Sequence, residues 1–227
     1  MIYEILASGS DGNATIINHS ILIDCGVPAI VLKPYVRDLK LVLLTHEHCD
    51  HFRFSTVRWL AHTRPAIRWG CCEWMVQKLL DAGVLPRQID VLTPDETVLY
   101  PSLMTITPVE LTHNVRNCGY KLMDGGSKLF YATDTGTLEG IEAKGYDTYL
   151  VEANHSRAEL EKRAKQKADR GEYAYEVKAA ENHLSIEQTV DWLTENMGPN
   201  SVWIPMHQHK ERRQDDGREK DVYPEDH

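Results

Sequence analysis

A mixed α/β (α+β) chain, with helices packed outside a core of two sheets, is the fold class that this sequence predicts. Short apolar runs bounded by Gly, Asn and Asp recur along it and read as strands. Amphipathic stretches interleave with those runs instead of forming a separate block, so helices and sheets share one core. The length of 227 residues allows one large domain with a substantial interior.

Residues 2–6, 14–17, 21–23 and 40–44 read as strands, with Gly9-Ser10-Asp11-Gly12-Asn13 as a tight polar turn between the first two. Residues 55–62 and 72–82 read as helices. In the second, Met75, Val76, Leu79 and Leu80 share one face and Gly83 supplies a stop. Further strands are expected at 66–69, 103–111, 119–123, 128–132, 148–151 and 202–205, and Asp124-Gly125-Gly126 suits a hairpin turn. Residues 158–170 read as a charged helix leading into a polar loop through Ala179. Residues 185–197 carry the strongest helical signal. Ser185 and Gln188 match a capping box, Ile186, Val190, Leu193 and Met197 form a stripe, and Gly198-Pro199 ends it. Past Gln208 the chain is almost wholly charged. The expected organisation is therefore one folded domain over 1–210 and a disordered tail over 211–227.

The net charge of −9 argues against broad positive surface for nucleic acid, but it leaves room for a local polyanion site. No run of 18 apolar residues occurs, and the opening Met1-Ile2-Tyr3-Glu4-Ile5-Leu6 does not resemble a signal peptide. A cytoplasmic location without a membrane partner is expected. The five cysteines form an odd set with no C-x-x-C pair, so no disulfide framework is indicated.

The chemistry concentrates in His46-Glu47-His48-Cys49-Asp50-His51, directly after the apolar run Leu41-Val42-Leu43-Leu44. Neutral imidazole and carboxylate are ligands for Zn²⁺, Mn²⁺ or Fe²⁺, and crowding them is costly unless a cation binds between them. This is not the helical H-E-x-x-H motif, because position 50 is Asp. His46 and His48 are spaced for a turn or extended loop, and Asp50 and His51 would face a neighbouring second position. So many donors on one loop exceed what a single open catalytic metal needs, which predicts a two-metal site. His113, Asp134 and His207 each lie just past a predicted strand end, as His46 does, and loops at strand ends converge.

The order of His46, His48, Asp50, His51, then His113, then Asp134 in Ala132-Thr133-Asp134-Thr135-Gly136, then His207 after a strand resembles the metallo-β-lactamase fold hydrolases. The likeness spans nearly everything short of the tail. Leu6-Ala7-Ser8-Gly9-Ser10-Asp11-Gly12-Asn13 and Leu22-Ile23-Asp24-Cys25-Gly26 resemble the bacterial YycJ- or WalJ-like branch, related to ribonuclease Z and the cyclic-phosphate phosphodiesterases. His183-Leu184-Ser185 resembles the His-Leu-Ser motif of ribonuclease Z-like enzymes. The resemblance implies a four-layer αββα sandwich and two divalent metal ions, with zinc foremost and manganese or iron open. It implies His46, His48 and His113 on one ion, Asp50, His51 and His207 on the other, and Asp134 as the bridge. His209 rivals His207 for the last place. His183 matches the family's proton donor and, with Asp50, makes up the expected catalytic residues. Asp24 would either orient a ligating imidazole or cap a turn. This chain departs from the pattern at His113-Asn114, where many relatives have His-Asp. Trp69, Trp74 and the Cys71-Cys72 pair, read as structural, lie outside the pattern. Cys49 lies between two ligands and is expected to point away.

A metal pair sharing Asp134 and a water would lower that water's pKa from about 15.7 toward neutrality. The bridging hydroxide is the expected nucleophile, and His183 the general acid for a poor leaving group, a role worth roughly 10²–10⁴ in rate. The function expected is therefore a binuclear metal-dependent phosphodiesterase or exonuclease, with DNA and RNA both open as partners. A thioester or lactone hydrolase, or a metal-binding accessory protein with little turnover, are the alternatives on the same fold. Arg157, Lys162, Arg163, Lys165, Lys167 and Arg170 form either a phosphate-tracking surface or an ordinary solvated helix face. The loop at 9–13 could offer backbone N–H groups to a phosphate or be a plain hairpin turn.

Overall fold

A computed structural model describes residues 1–171 and 181–208. The expected tail, His209 and most of the polar loop before Ala180 lie outside the described residues.

Two six-stranded mixed sheets make the centre. The first runs in chain order: β1 (Tyr3–Ala7), β2 (Ala14–Ile17), β3 (Ile21–Ile23), β4 (Leu41–Leu44), β5 (Arg68–Cys72) and β6 (Ile89–Leu92). Its first two pairings are antiparallel and the remaining three parallel. The second sheet holds β7 (Val98–Tyr100), β8 (Met104–Leu111), β9 (Asn117–Asp124), β10 (Ser127–Ala132), β11 (Thr148–Glu152) and β12 (Val202–Met206). Its pairings are antiparallel as far as β10, then parallel through β11 to β12. These directions give β1, β3 and β4 a common C-terminal edge in one sheet, and β8, β10, β11 and β12 a common C-terminal edge in the other.

The helices are α1 (Ala29–Leu32), α2 (Phe54–Thr63), α3 (Val76–Asp81), α4 (Arg157–Asp169) and α5 (Ile186–Asn196). Three apolar layers follow from the strand period of two. Leu41 and Leu43 of β4 face the second sheet, among Ile106, Tyr120, Leu122, Tyr131 and Leu150. Val42 and Leu44 face outward and pack with Leu32, Val57, Leu60 and Leu79 of the first three helices. Phe130, Ala132, Tyr149 and Val151 form the third layer with Leu184 and Leu193 beside α5. The result is the four-layer αββα sandwich. A strand buried on both faces must be apolar throughout, which is why Leu41–Leu44 reads as an unbroken run.

Two expectations need adjustment. The strand expected at 66–69 starts at Arg68 and continues through Cys72, because Cys71 and Cys72 pair with Leu44 and Leu92 in parallel ladders. Cys72 is therefore not helical. A 3₁₀ turn, Glu73–Met75, precedes α3, which ends at Asp81. Short α1 and the edge strands β6 and β7 carried too little periodicity to be read. The helix expected at 158–170 is α4, which buries no residue, so packing adds nothing to its charged pattern. No helix among the described residues is long and apolar enough to cross a membrane.

Candidate metal centre

Loops from both sheets meet at the C-terminal strand edges, and they bring together all seven donors named from the sequence. His46 Nε2 and His113 Nε2 lie 3.1 Å and 3.3 Å from His48 Nδ1, forming one group. Asp50, His51 and His207 form a second, with His207 Nε2 3.5 Å from Asp50 Oδ2 and His51 Nε2 3.7 Å from it. Asp134 stands between them, its Oδ2 2.9 Å from His51 Nε2 and its Oδ1 3.4 Å from His207 Nε2. In each group the potential ligand atoms lie within 4.8 Å of one another. Cys49 is exposed and belongs to none of these groups among the described residues.

Second nitrogens of His46, His51 and His113 are occupied, which fixes the nitrogen each turns inward. Asp24 is the centre of this arrangement. It is fully buried, its Oδ2 accepts from His51 Nδ1 at 2.7 Å, and its Oδ1 accepts from the Thr45 hydroxyl at 2.9 Å. The Thr45 oxygen in turn lies 3.0 Å from His46 Nδ1, so one carboxylate orients two imidazoles. His113 donates through Nδ1 to the Asn182 carbonyl at 3.1 Å. Each of these imidazoles therefore turns its Nε2 toward the cluster, where it offers a lone pair once deprotonated.

Three donor-bearing turns use left-handed backbone at non-glycine residues: Asp24 at φ 61°, Asp134 at φ 58° and His207 at φ 48°. Such positions cost on the order of 1–3 kcal/mol each and persist only where the surroundings hold them. Here Asn117 Nδ2 donates to the carbonyls of Thr133 and Asp134, Asn154 Nδ2 donates to the His207 carbonyl, and Ser8 Oγ accepts from the His207 amide. The histidine-rich loop is held as closely. A Cβ at Gly26 would sit 1.7 Å from the Asp50 carbonyl oxygen, so only glycine fits there.

Electrostatics show what the cluster lacks. Burial alone would depress His51 and His207, but the surrounding carboxylates reverse this. Asp134 and Asp24 hold His51 well above the usual imidazole range. The carboxylates of Asp50 and Glu152, each 3.5 Å from one of its ring nitrogens, with the Asp134 charge, carry His207 up to about 10. Asp134 moves the opposite way: burial would raise it, and the His51 and His207 charges hold it well below the carboxylate range. His46 is pushed down, first by burial and then by the His51 charge. Without a cation, protons on His51 and His207 offset the buried carboxylates. Even so, Asp134 Oδ2 and His207 Nε2 stay buried without a well-directed hydrogen bond, despite neighbours within ion-pair distance. Divalent cations fit this donor set, replacing those protons with charge that every inward lone pair can meet.

Glu152 is a candidate site residue that the sequence reading missed. It ends β11, is fully buried, and accepts from His183 Nδ1 at 2.5 Å and from the Thr135 amide at 3.0 Å. The same Oε1 lies 3.5 Å from His207 Nδ1. The His183 and His207 rings stack with centroids 5.2 Å apart. An acidic residue at the end of an apolar strand was the available signal, the same position that flagged Asp134. Three of the five amides in the loop at 9–13 are engaged. Asn13 Oδ1 accepts from the Gly9 amide, the Gly12 amide reaches the Gly9 carbonyl, and the Asn13 amide reaches the Asp50 carbonyl at 2.6 Å. Through the Asn13–Asp50 contact it braces the metal loop.

The fold and this cluster define a metallo-β-lactamase-type protein. The chain belongs to the beta-lactamase superfamily, whose domain model matches residues 19–208. Among curated proteins it is similar to exodeoxyribonuclease WalJ of Streptococcus pneumoniae serotype 2, strain D39. That similarity is 26% identity over 223 residues, covering 86% of this chain and 77% of that one. Among solved structures it resembles the short form of human tRNase Z (TM-score 0.67, 14% identity, 92% of this chain and 93% of the other). It also resembles Zn²⁺-bound PqqB from Methylobacterium extorquens (TM-score 0.68, 13% identity, 92% and 89% covered).

Proposed function

We propose that the bond this metal-dependent hydrolase cleaves is a phosphodiester in a nucleic-acid strand, with two divalent cations as cofactors. In this reading His46, His48 and His113 would hold one ion, Asp50, His51 and His207 the other, and Asp134 would serve both. Divalent cations, when bound, lower the pKa of water and neutralise charge developing on phosphoryl oxygens.

The chain's own residues supply the rest. The observation that carries the reading is the His183–Glu152 pair, set against the donor cluster with Nδ1 held at 2.5 Å and the His183 side chain only about one-fifth exposed. With Nδ1 engaged by Glu152, Nε2 is the nitrogen that delivers a proton to the departing oxygen. An alkoxide leaves poorly and needs that proton, whereas a thiolate does not. The similarity to an exodeoxyribonuclease supports a nucleic-acid substrate and favours DNA.

The test is a substrate panel with Zn²⁺ or Mn²⁺: bis-p-nitrophenyl phosphate, end-labelled single-stranded and duplex DNA, RNA, and a thioester. Phosphodiester cleavage well above thioester cleavage is expected. A thioester turned over fastest, with every phosphodiester silent, would overturn the reading.

A further inference from the structure

A tryptophan–arginine pair on the rim of the centre is left unexplained by the ligand set. Trp74 stands in the 3₁₀ turn before α3, and its indole Nε1 donates to the Thr45 carbonyl at 3.4 Å, next to His46. The Arg116 guanidinium lies over that indole, with Cζ 4.2 Å from the ring centroid. Arg116 sits in the loop that carries His113, and its side chain is 59% exposed. Its recorded ion pair is Glu110 at 3.3 Å, where both side chains are more than half exposed and the attraction is weak. One turn further along α3, Lys78 reaches Glu47 of the metal loop at 2.9 Å.

A guanidinium lying against an aromatic face is pre-oriented, so it loses little freedom when its N–H edge meets an anion. On a chain of net charge −9, a polyanion needs cations placed where it must pass. The pair reaches the centre through the Thr45 carbonyl, next to His46, and through the loop that carries His113. We infer that Arg116, held flat by Trp74, is a substrate-positioning residue that binds the phosphate next to the scissile one in a nucleic-acid strand. The inference rests on the phosphodiesterase reading and narrows it: the enzyme recognises a strand beyond the single bond it cuts.

The experiment measures binding of fluorescein-labelled oligothymidylate by anisotropy over a range of KCl concentrations, for the wild type and Arg116→Gln. Loss of one phosphate contact is expected to weaken binding about tenfold and to flatten the log–log salt slope by about 0.7. Unchanged affinity and slope would overturn the inference, whatever turnover shows. With metal-loaded protein, KM for the oligonucleotide should rise about tenfold more than KM for bis-p-nitrophenyl phosphate, which has no neighbouring phosphate. Equal rises would place Arg116 in the folding of the centre and sink the proposal. Trp74→Leu keeps the charge and removes the platform, so a smaller loss of binding is expected. No loss would overturn the part assigned to the indole. Failure of the functional reading would show separately, as wild-type silence on every phosphodiester.

Discussion

At the scale of single residues, proton positions decide what the centre can do. His183 pairs with Glu152 and lies outside the two triads assigned to the cations, although it also clusters with Asp134, Glu152 and His207; if the triads hold the ions, removing its imidazole should leave the metals in place. His183→Ala is expected to retain full metal content while slowing cleavage of a diester with an alkoxide leaving group by roughly 10²–10⁴. Loss of metal, or an unchanged rate, would refute the general-acid role. His207 gives a pH dependence whose sign can be worked out for the metal-free protein. Its folded value, about 10, lies above the ordinary 6.5, so it contributes stability fully below about 6.5 and loses it as pH rises toward 10. The melting temperature of chelated protein should therefore fall over that window. Adding Zn²⁺ should remove the slope and release protons, because a ligating imidazole must be neutral. A melting temperature that rises through the window would contradict the carboxylate cage around His207.

At the scale of elements, the site depends on how turns and caps set loops. Ser185 caps α5, its Oγ accepting from the Gln188 amide while Gln188 Oε1 accepts from the Ser185 amide. This box fixes the N-cap of the helix two residues after His183. Ser185→Ala should cost about 1 kcal/mol in urea unfolding, and it should lower kcat through a misplaced His183. An unchanged kcat would show that Glu152 alone positions the imidazole. Ser185–Gln188 was legible in the sequence because a capping box is local, and β4 was legible because a buried parallel strand is apolar at every position. Edge strands β6 and β7 were not, since their mixed residues meet solvent on one side. Glu152 was hidden for a different reason. A carboxylate at a strand end gains its meaning only from His183 and His207, which arrive from distant parts of the chain.

At the scale of the whole molecule, each candidate cation needs both sheets. The first half of the chain supplies His46, His48, Asp50 and His51 from the edge of one sheet. The second supplies His113, Asp134 and His207 from the edge of the other. The family likeness made this set of donors legible. The distance between the two loop clusters was not legible, because it is set by how the middle apolar layer packs. That layer holds the sheets at fixed separation, whereas the outer layers only press helices onto them. Two truncations of equal chemistry should therefore behave differently. Leu43, fully buried on β4, faces the second sheet, and Leu60, fully buried on α2, lies in the outer layer. Each Leu→Ala change should cost about 2–5 kcal/mol in denaturant unfolding, from lost transfer energy and the cavity left behind. Only Leu43→Ala should also weaken metal binding, because its cavity lies in the layer that sets the spacing between His51 and Asp134. Zinc affinity measured by competition with a chromophoric chelator reads this directly. If the two variants lose stability alike and bind zinc as the wild type does, the spacing is held by the loops themselves, through Asp24, Asn117 and Ser8, and the middle layer has no part in it.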